Sequence, residues 1–402
     1  MTGARRFRID PTVQRHGAAV IGGSPLRLFR VTDAGAAVVE RLARGEAVAD
    51  SKLVGALLDA GAIHPLPDAA DAPFGVDDVT VVVPTLGPPE HVPAGAVLVD
   101  DGSRPAVPGA TLRLDENQGP AAARNAGLDL VDTPLVAFVD ADTELTDGWL
   151  DRLLPHFADE RCGLVAPRVR SRPGRGGVAR YDARHSPLDL GPDPAGVRPG
   201  TRVSYVPAAA VVCRTEAIRS IGGFATELRF GEDVDLVWRL VEAGWRCRYE
   251  PASAVTHEPR PGWRSWLRQR AGYGASAAPL ARRHPGALHP LRMSGWSLGA
   301  WLLASAGRPI LGAAVGAGSA AALARKLPDV PAMVAIRLGA SGNLRAGEQI
   351  ATAIRRAWWP LLLVGSARST RIRRALAASF LAAGHPVRAA DDLAYSLGVW
   401  RG

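Results

Sequence analysis

Four short apolar runs, each closed by a polar turn, constrain this chain more than any other feature. They are "VTVVVPT" (79–85), "GAVLVDDGS" (95–103), "ATLRLDENQG" (110–119) and "PLVAFVDADTEL" (134–145). Such near-continuous apolar runs, rich in β-branched residues, suit strands buried on both faces of a parallel sheet. A helical stretch, "PAAARNAGLDL", follows the third run. Strands alternating with helices specify an α/β sheet. Ligands of such sheets gather at the carboxyl ends of the strands. The groups "PT", "DDGS", "ENQG" and "DADT" all fall at those ends.

The last of them places Asp140 and Asp142 either side of Ala141. Residues two apart on a strand share a face, so the two carboxylates converge. They repel unless a cation neutralises them, and a hard divalent ion with oxygen ligands would do so. Capping the segment that follows is the alternative use of Asp and Thr. On these residues alone both readings stand.

The 402 residues leave room for two or three domains. Cys162, Cys213 and Cys247 are the only cysteines and have no metal-type or redox spacing. A disulfide framework is therefore not expected, and a reducing compartment fits. The opening "MTGARRFRIDPTV" has no apolar core, so a cleaved secretory signal is not expected. The formal net charge is +9, carried almost wholly by arginine and crowded into residues 260–374. That bias suggests an anionic partner, lipid headgroups or a phosphate-bearing ligand. No basic motif interleaved with aromatics argues for nucleic acid.

Residues 1–70 read as a small α+β unit. "AAVIGG" and "LRLFRV" are two strands joined by "GGSP", and two helices follow, capped by Thr32 and by Asp50 or Ser51. Residues 71–78 form a linker, 79–290 the α/β domain, and 291–402 a helical, basic and apolar region. Residues 171–202, rich in Gly, Pro and Arg, read as a long functional loop. "EDVDLVWRLVE" is a well-patterned helix. The runs "LGAWLLASAG", "ILGAAVGAGSAAALA" and "AWWPLLLVGSA" fall short of the ~20 residues a spanning helix needs. Their Arg and Trp flanks suit contact with a membrane surface, with a helical bundle packed on the α/β domain as the alternative.

In their order, "VDDGS", "NQGPAAARNAG", "DAD" and "GED" resemble the GT-A fold glycosyltransferases of family 2, over about Val79 to Gly274. The resemblance implies a Rossmann-like GT-A domain that binds a UDP-sugar donor. Pro84 and Thr85 would then wrap the base, and Asp101 would accept from the uracil ring with Asp100 alongside. Asn117, Gly119 and Arg124 would lie near the nucleoside, and Asp140 and Ala141 on the ribose side. Asp142 would hold Mg2+ or Mn2+ against the donor diphosphate, supported by Asp140 and by His257 as imidazole ligand. Arg268 and Arg270 would approach the diphosphate. Asp233 would be the general base of an inverting transfer, with Glu232 supporting it or contacting the acceptor. The Gln-x-x-Arg-Trp motif of the family's processive synthases is absent, which argues against long-chain processive synthesis.

The first seventy residues, "LRLFRVTDAGAAVVERLARG" above all, are similar to the winged-helix, PqqD-like domains that bind precursor peptides. With the domain order, this resembles the glycosyltransferases of mycofactocin biosynthesis. It implies transfer of glucose from UDP-glucose to a peptide-derived redox cofactor or its precursor, building a β-1,4-linked oligosaccharide in the cytoplasm at the inner membrane face. A membrane-associated transferase with a lipid or cell-wall acceptor, a non-catalytic sugar-nucleotide or peptide-binding protein, and a DNA-binding regulator are the alternatives.

Overall fold

The computed structural model describes residues 4–89, 91–174, 176–258 and 262–402. The few outside include residues 1–3 of the expected N-terminal unit and Arg175 of the expected loop. The chain divides into two compact units, Met1–Gln14 with Ile21–Gly262, and Arg15–Val20 with Trp263–Gly402.

The first strands are β1 (Phe7–Ile9), β2 (Gln14–His16), β3 (Ala19–Gly22) and β4 (Arg27–Arg30), followed by α1 (Asp33–Ala43), α2 (Lys52–Asp59) and β5 (Ile63–Pro65). The expected pair "AAVIGG" and "LRLFRV" form β3 and β4, which extend into a three-stranded sheet with β2. Thr32 accepts the Gly35 N–H to cap α1, and Ser51 accepts the Val54 N–H to cap α2. Both helices bury one apolar stripe, Val39 and Leu42 on α1 and Val54, Leu57 and Leu58 on α2. The antiparallel pairing of β1 with β5, Phe7 opposite Pro65, was not expected. Three-residue strands are too short to display an alternation.

The site is carried by a nine-stranded mixed sheet. Its elements are β6 (Val79–Thr85), β7 (Val97–Asp101), β8 (Leu112–Leu114), α3 (Pro120–Leu128), β9 (Leu135–Val139), β10 (Thr143–Leu145), β11 (Cys162–Ser171), α4 (Gly177–His185), β12 (Ala195–Val197), β13 (Ala210–Arg214), α5 (Thr215–Ser220), α6 (Glu232–Glu242) and β14 (Arg246–His257). The spatial order is β10-β14-β11-β13-β9-β6-β7-β8, with β12 beside β14. From β9 to β8 every pairing is parallel, as the four runs implied. β13 joins β9 and β11 antiparallel, and β10 and β12 join β14 antiparallel. All five residues of β9 are buried. α3 lies hard against the sheet at Gly127, where a Cβ would stand 2.3 Å from Val82 Cγ1; only glycine permits that approach.

Residues 171–202 correct the expectation of a structureless loop. They contain α4, whose Tyr181 and His185 rings stack 4.5 Å apart, and β12. A composition of Gly, Pro and Arg hid both, because α4 is polar on most faces and β12 has three residues.

The second unit is helical: α7 (Trp263–Ala275), α8 (Ala277–Arg283), α9 (Gly295–Ser305), α10 (Pro309–Lys326), α11 (Ala332–Ala353), α12 (Trp359–Ser366), α13 (Thr370–Leu381) and α14 (Pro386–Val399). The division between units falls at Gly262, ahead of the expected boundary at 290. α7 and α14 cross at Gly274 and Gly398, where any side chain would strike the other helix's backbone. The Arg355 guanidinium is buried and donates to Asp392 at 2.6 Å. Among the described residues no helix is long and apolar enough to cross a membrane.

Candidate active site

Four strand ends and one helix start build the site. β7 ends in Asp100 and Asp101, and the two carboxylates do different work. Asp100 is fully buried. It accepts the backbone N–H groups of Ser103 (2.8 Å) and Val107 (3.1 Å) and the guanidinium of Arg113 on β8. Burial alone would raise its pKa, but the bonds from Ser103 and Val107 and the charge of Arg113 hold it down to about 2. Asp100 therefore pins the loop after β7. Asp100, expected alongside Asp101, has Ser103, Val107 and Arg113 as its partners.

Asp101 accepts the Gln118 N–H at 2.8 Å and the Gly119 N–H at 2.9 Å. It thereby fixes the turn that starts α3, in which Gly119 takes a φ of +96°. A carboxylate has about four acceptor positions, so Asp101 keeps capacity for a further donor. The same turn approaches Gly102 so closely that a Cβ there would lie 2.4 Å from the Glu116 carbonyl carbon. At the end of β6, Pro84 and Thr85 are buried, and the Thr85 hydroxyl donates to the Gly87 carbonyl at 2.7 Å. Asn117 is exposed in the segment that leads into α3.

Arg124 projects from α3 and is 3% exposed. Its Nη2 donates to Asp140 Oδ1 at 2.7 Å and its Nη1 to Glu232 Oε1 at 3.0 Å. Although burial opposes its charge, the two carboxylates hold it firmly protonated. Phe224 covers the guanidinium at 5.2 Å and meets Phe138 edge-on. Asn125 locks Phe224 with two bonds to its backbone, 2.9 and 2.8 Å. Sequence reasoning passed over Asn125, Phe224 and Arg113; the "GGF" turn was the one visible trace of the first two.

Asp140, half-buried Ala141 and Asp142 form the turn between β9 and β10, closed by Thr143 N–H donating to the Asp140 carbonyl at 3.0 Å. β14 ends at His257, opposite Thr143 in the antiparallel register. That pairing brings His257 Nε2 within 3.4 Å of Asp142 Oδ1. A carboxylate and an imidazole side by side suit Mg2+ or Mn2+, so the donor set fits a divalent ion. Asp140, however, has Oδ1 engaged by Arg124. Among the described residues no three His, Cys, Asp or Glu side chains gather into a ready-made cage. Of the three expected ligands, Asp142 and His257 stand side by side, while Asp140 has one oxygen turned to Arg124. One or two protein ligands are usual for Mg2+, which completes its shell with water and substrate phosphate; an imidazole among them is better suited to a transition metal.

α6 starts at Gly231 (φ +81°) with Glu232, Asp233 and Asp235 in its first turn, where the helix dipole favours acid. Asp235 and the Ile221 and Gly223 carbonyls clamp Arg239 and anchor the helix. Asp233 is the most perturbed carboxyl of the set. Burial first, and then the negative charge of Glu232, push its pKa up to about 7, against the N–H groups of Val234 and Ala208.

Of the two arginines expected near a diphosphate, Arg268 is exposed on α7. Arg270 is buried in the helical unit, stacked on Trp266 at 5.0 Å and paired with Asp391 of α14 at 3.3 Å. Its guanidinium serves the packing of α7 on α14, which corrects the expectation for it.

A family model described as "Glycosyl transferase family 2" matches residues 96–219. The "Pre-mycofactocin glycosyltransferase" of Mycobacterium tuberculosis is 39% identical over 96% of this chain and 92% of its own length. The "Glycosyltransferase AglE" of Haloferax volcanii is 27% identical over 37% of this chain and 47% of its own. Among solved structures, the mannosyltransferase PcManGT from Pyrobaculum calidifontis in complex with GDP-Man and Mn2+ superposes with a TM-score of 0.45 and 18% identity, covering 83% of this chain and 89% of that one.

Proposed function

The chain belongs to the family 2 glycosyltransferases, and we propose that it transfers glucose from UDP-glucose to a hydroxyl of pre-mycofactocin with inversion, building a β-1,4-linked oligosaccharide. The observation that carries this reading is the bridge made by Arg124. It joins the Asp140–Asp142 turn to the start of α6, so that donor-side and acceptor-side carboxylates belong to one site. The acceptor follows the name of the M. tuberculosis relative, which matches nearly the full length of this chain.

Asp233 is the base. A carboxyl poised at about 7 is half ionised near neutrality and strong enough to take a hydroxyl proton. Glu232 raises that basicity by its charge and is itself held by Arg124. Asp142 and His257 would hold a divalent ion, which would neutralise the charge developing on the departing diphosphate. Asp101, with its two backbone bonds, shapes the turn ahead of α3 and offers its remaining acceptor positions to a base. The start of α3, as a helix amino terminus, is a favourable place for anionic groups.

A second reading, a lipid or cell-wall acceptor at the inner membrane face, is favoured by apolar side chains of the helical unit that face outward. Ile310 is 84% exposed, Leu381 81% and Val364 69%.

The deciding experiment offers the purified protein UDP-glucose and Mn2+ with pre-mycofactocin, and separately with membrane lipid extract. Glucosylated pre-mycofactocin, identified by mass, supports the first reading. Transfer into lipid alone replaces it with the second, and donor hydrolysis without either acceptor refutes both.

A further inference from the structure

A cavity of about 280 Å³ lies away from the catalytic residues, none of which lines it. One side comes from the first sixty-odd residues, including Asp10, Asp59 and His64, and the other from the amino-terminal part of β14 and the chain before it. From Arg248 to His257 β14 rises through nine residue steps, up to about 30 Å at the rise of an extended strand. The cavity therefore belongs to the opposite end of the sheet from the catalytic groups.

Its lining is cationic beyond its own means of neutralisation. Arg161, Arg198, Arg202, Arg246 and Arg248 face it, against Asp10 and Asp59. Asp10 serves His64 at 2.8 Å and Arg202 at 3.4 Å, and Asp59 serves Arg246 at 3.2 Å. Just behind, Asp159 is shared between Arg246 and Arg248 at 3.0 and 3.4 Å. Arg198 makes no ion pair among the described residues. Arg248 is 5% exposed, yet its Nε finds no acceptor, and the same holds for the Nε of Arg246. A planar oxyanion is the partner a guanidinium matches best, and Arg198 on the cavity wall has no carboxylate of its own among the described residues. Burial and the like charge of Arg27 disfavour the charge of Arg198, so an added negative charge is favoured there.

We infer that this cavity is a binding site for a small oxyanion, carboxylate or phosphate, held by Arg198, Arg246 and Arg248. At about 280 Å³ it falls just below the ~300–1,000 Å³ of drug-sized ligand pockets, so the occupant is small or enters by one acidic end.

Calorimetric titration of the full chain, with UDP and Mn2+ in excess so that any donor site is filled, tests this. The probes are inorganic phosphate and N-acetylalanine at constant ionic strength, with N-acetylalaninamide as the uncharged control. Saturable binding of one phosphate or one N-acetylalanine per chain is expected, weakened at least tenfold in Arg198→Gln. Phosphate alone would mark a phosphoryl ligand and N-acetylalanine alone a carboxylate ligand, and each supports the site. Arg248→Met is the stronger lesion; because it can also impair folding, the half-buried Arg198 decides. Absence of saturable binding by both probes, or unchanged binding in Arg198→Gln, overturns the inference. UDP affinity, measured on the same samples, reports the donor site separately.

Discussion

Asp140 and Glu232 share one guanidinium: Arg124 reaches Oδ1 of the first at 2.7 Å and Oε1 of the second at 3.0 Å. The two carboxylates come from distant parts of the chain, and Arg124 ties the β9 turn directly to α6. Removing the cation would leave two carboxylates facing a buried gap. Arg124→Met should therefore destabilise the chain by about 3–5 kcal/mol, the usual cost of orphaning a buried charge. Arg124→Lys keeps the charge but loses the two-pronged geometry, so its stability should lie between. Denaturant titration of the three proteins checks this order.

Asp233 carries a pH signature. Its ionised form is disfavoured by burial and by Glu232, and its pKa stands at about 7. Transfer should then fall as pH drops below about 7, following one proton, in kcat/KM profiles. Asp233→Asn should lower kcat by about 10²–10⁴-fold while leaving UDP affinity in place. Stability runs in the opposite sense to activity. Between the unfolded carboxylate pKa near 4 and the folded value near 7, the folded state holds the extra proton. The contribution of Asp233 to stability is therefore full below pH 4 and is lost as pH rises through 7. In Asp233→Asn that loss should disappear from the pH dependence of Tm.

The parallel half of the sheet was legible because buried strands demand apolar runs and functional groups must then collect at their ends. β6, β7, β8 and β9 stand where the runs lie, and Asp140 and Glu232, at a strand end and a helix start, meet at Arg124. What was not legible depends on partners far away in sequence. Asp100 and Asp101 look equivalent in "VDDGS", and only the β7–β8 register, which delivers Arg113 to one of them, separates their roles. Arg270 looked like a phosphate ligand until α14 brought Asp391 beside it. α4 was hidden because a short polar helix leaves no apolar stripe.

The metal proposal rests on two side chains from adjacent strands, Asp142 and His257, 3.4 Å apart. Either one alone gives an ion too few protein ligands, so Asp142→Ala and His257→Ala should each weaken Mn2+ binding at least about tenfold. Manganese paramagnetic titration, read by electron resonance in the presence of UDP, measures this without turnover. Asp140→Asn should weaken it less, because Asp140 Oδ1 faces Arg124. Equal losses in all three variants would place Asp140 in the ligand set.

Asp100 makes the last prediction, one of stability rather than chemistry. Its folded pKa of about 2 lies below that of an unfolded aspartate, near 4. The charged form is therefore preferred by the fold, and the stability it contributes is present above pH 4 and lost as pH falls through 2. Asp100→Asn keeps the shape but replaces one acceptor oxygen by a donor amide, setting it against the Ser103 or Val107 N–H and leaving Arg113 without its counter-ion. A loss of about 2 kcal/mol is expected at neutral pH, the scale of an unsatisfied buried group. Because these bonds also hold the 101–107 loop against the turn before α3, UDP affinity should fall with it. Arg113→Met removes the same ion pair from its half-exposed partner and spares the backbone bonds to Ser103 and Val107. It should cost less stability than Asp100→Asn and leave UDP affinity nearer to the parent's. The reverse order would mean that Arg113, and not the buried carboxylate, holds the loop in place.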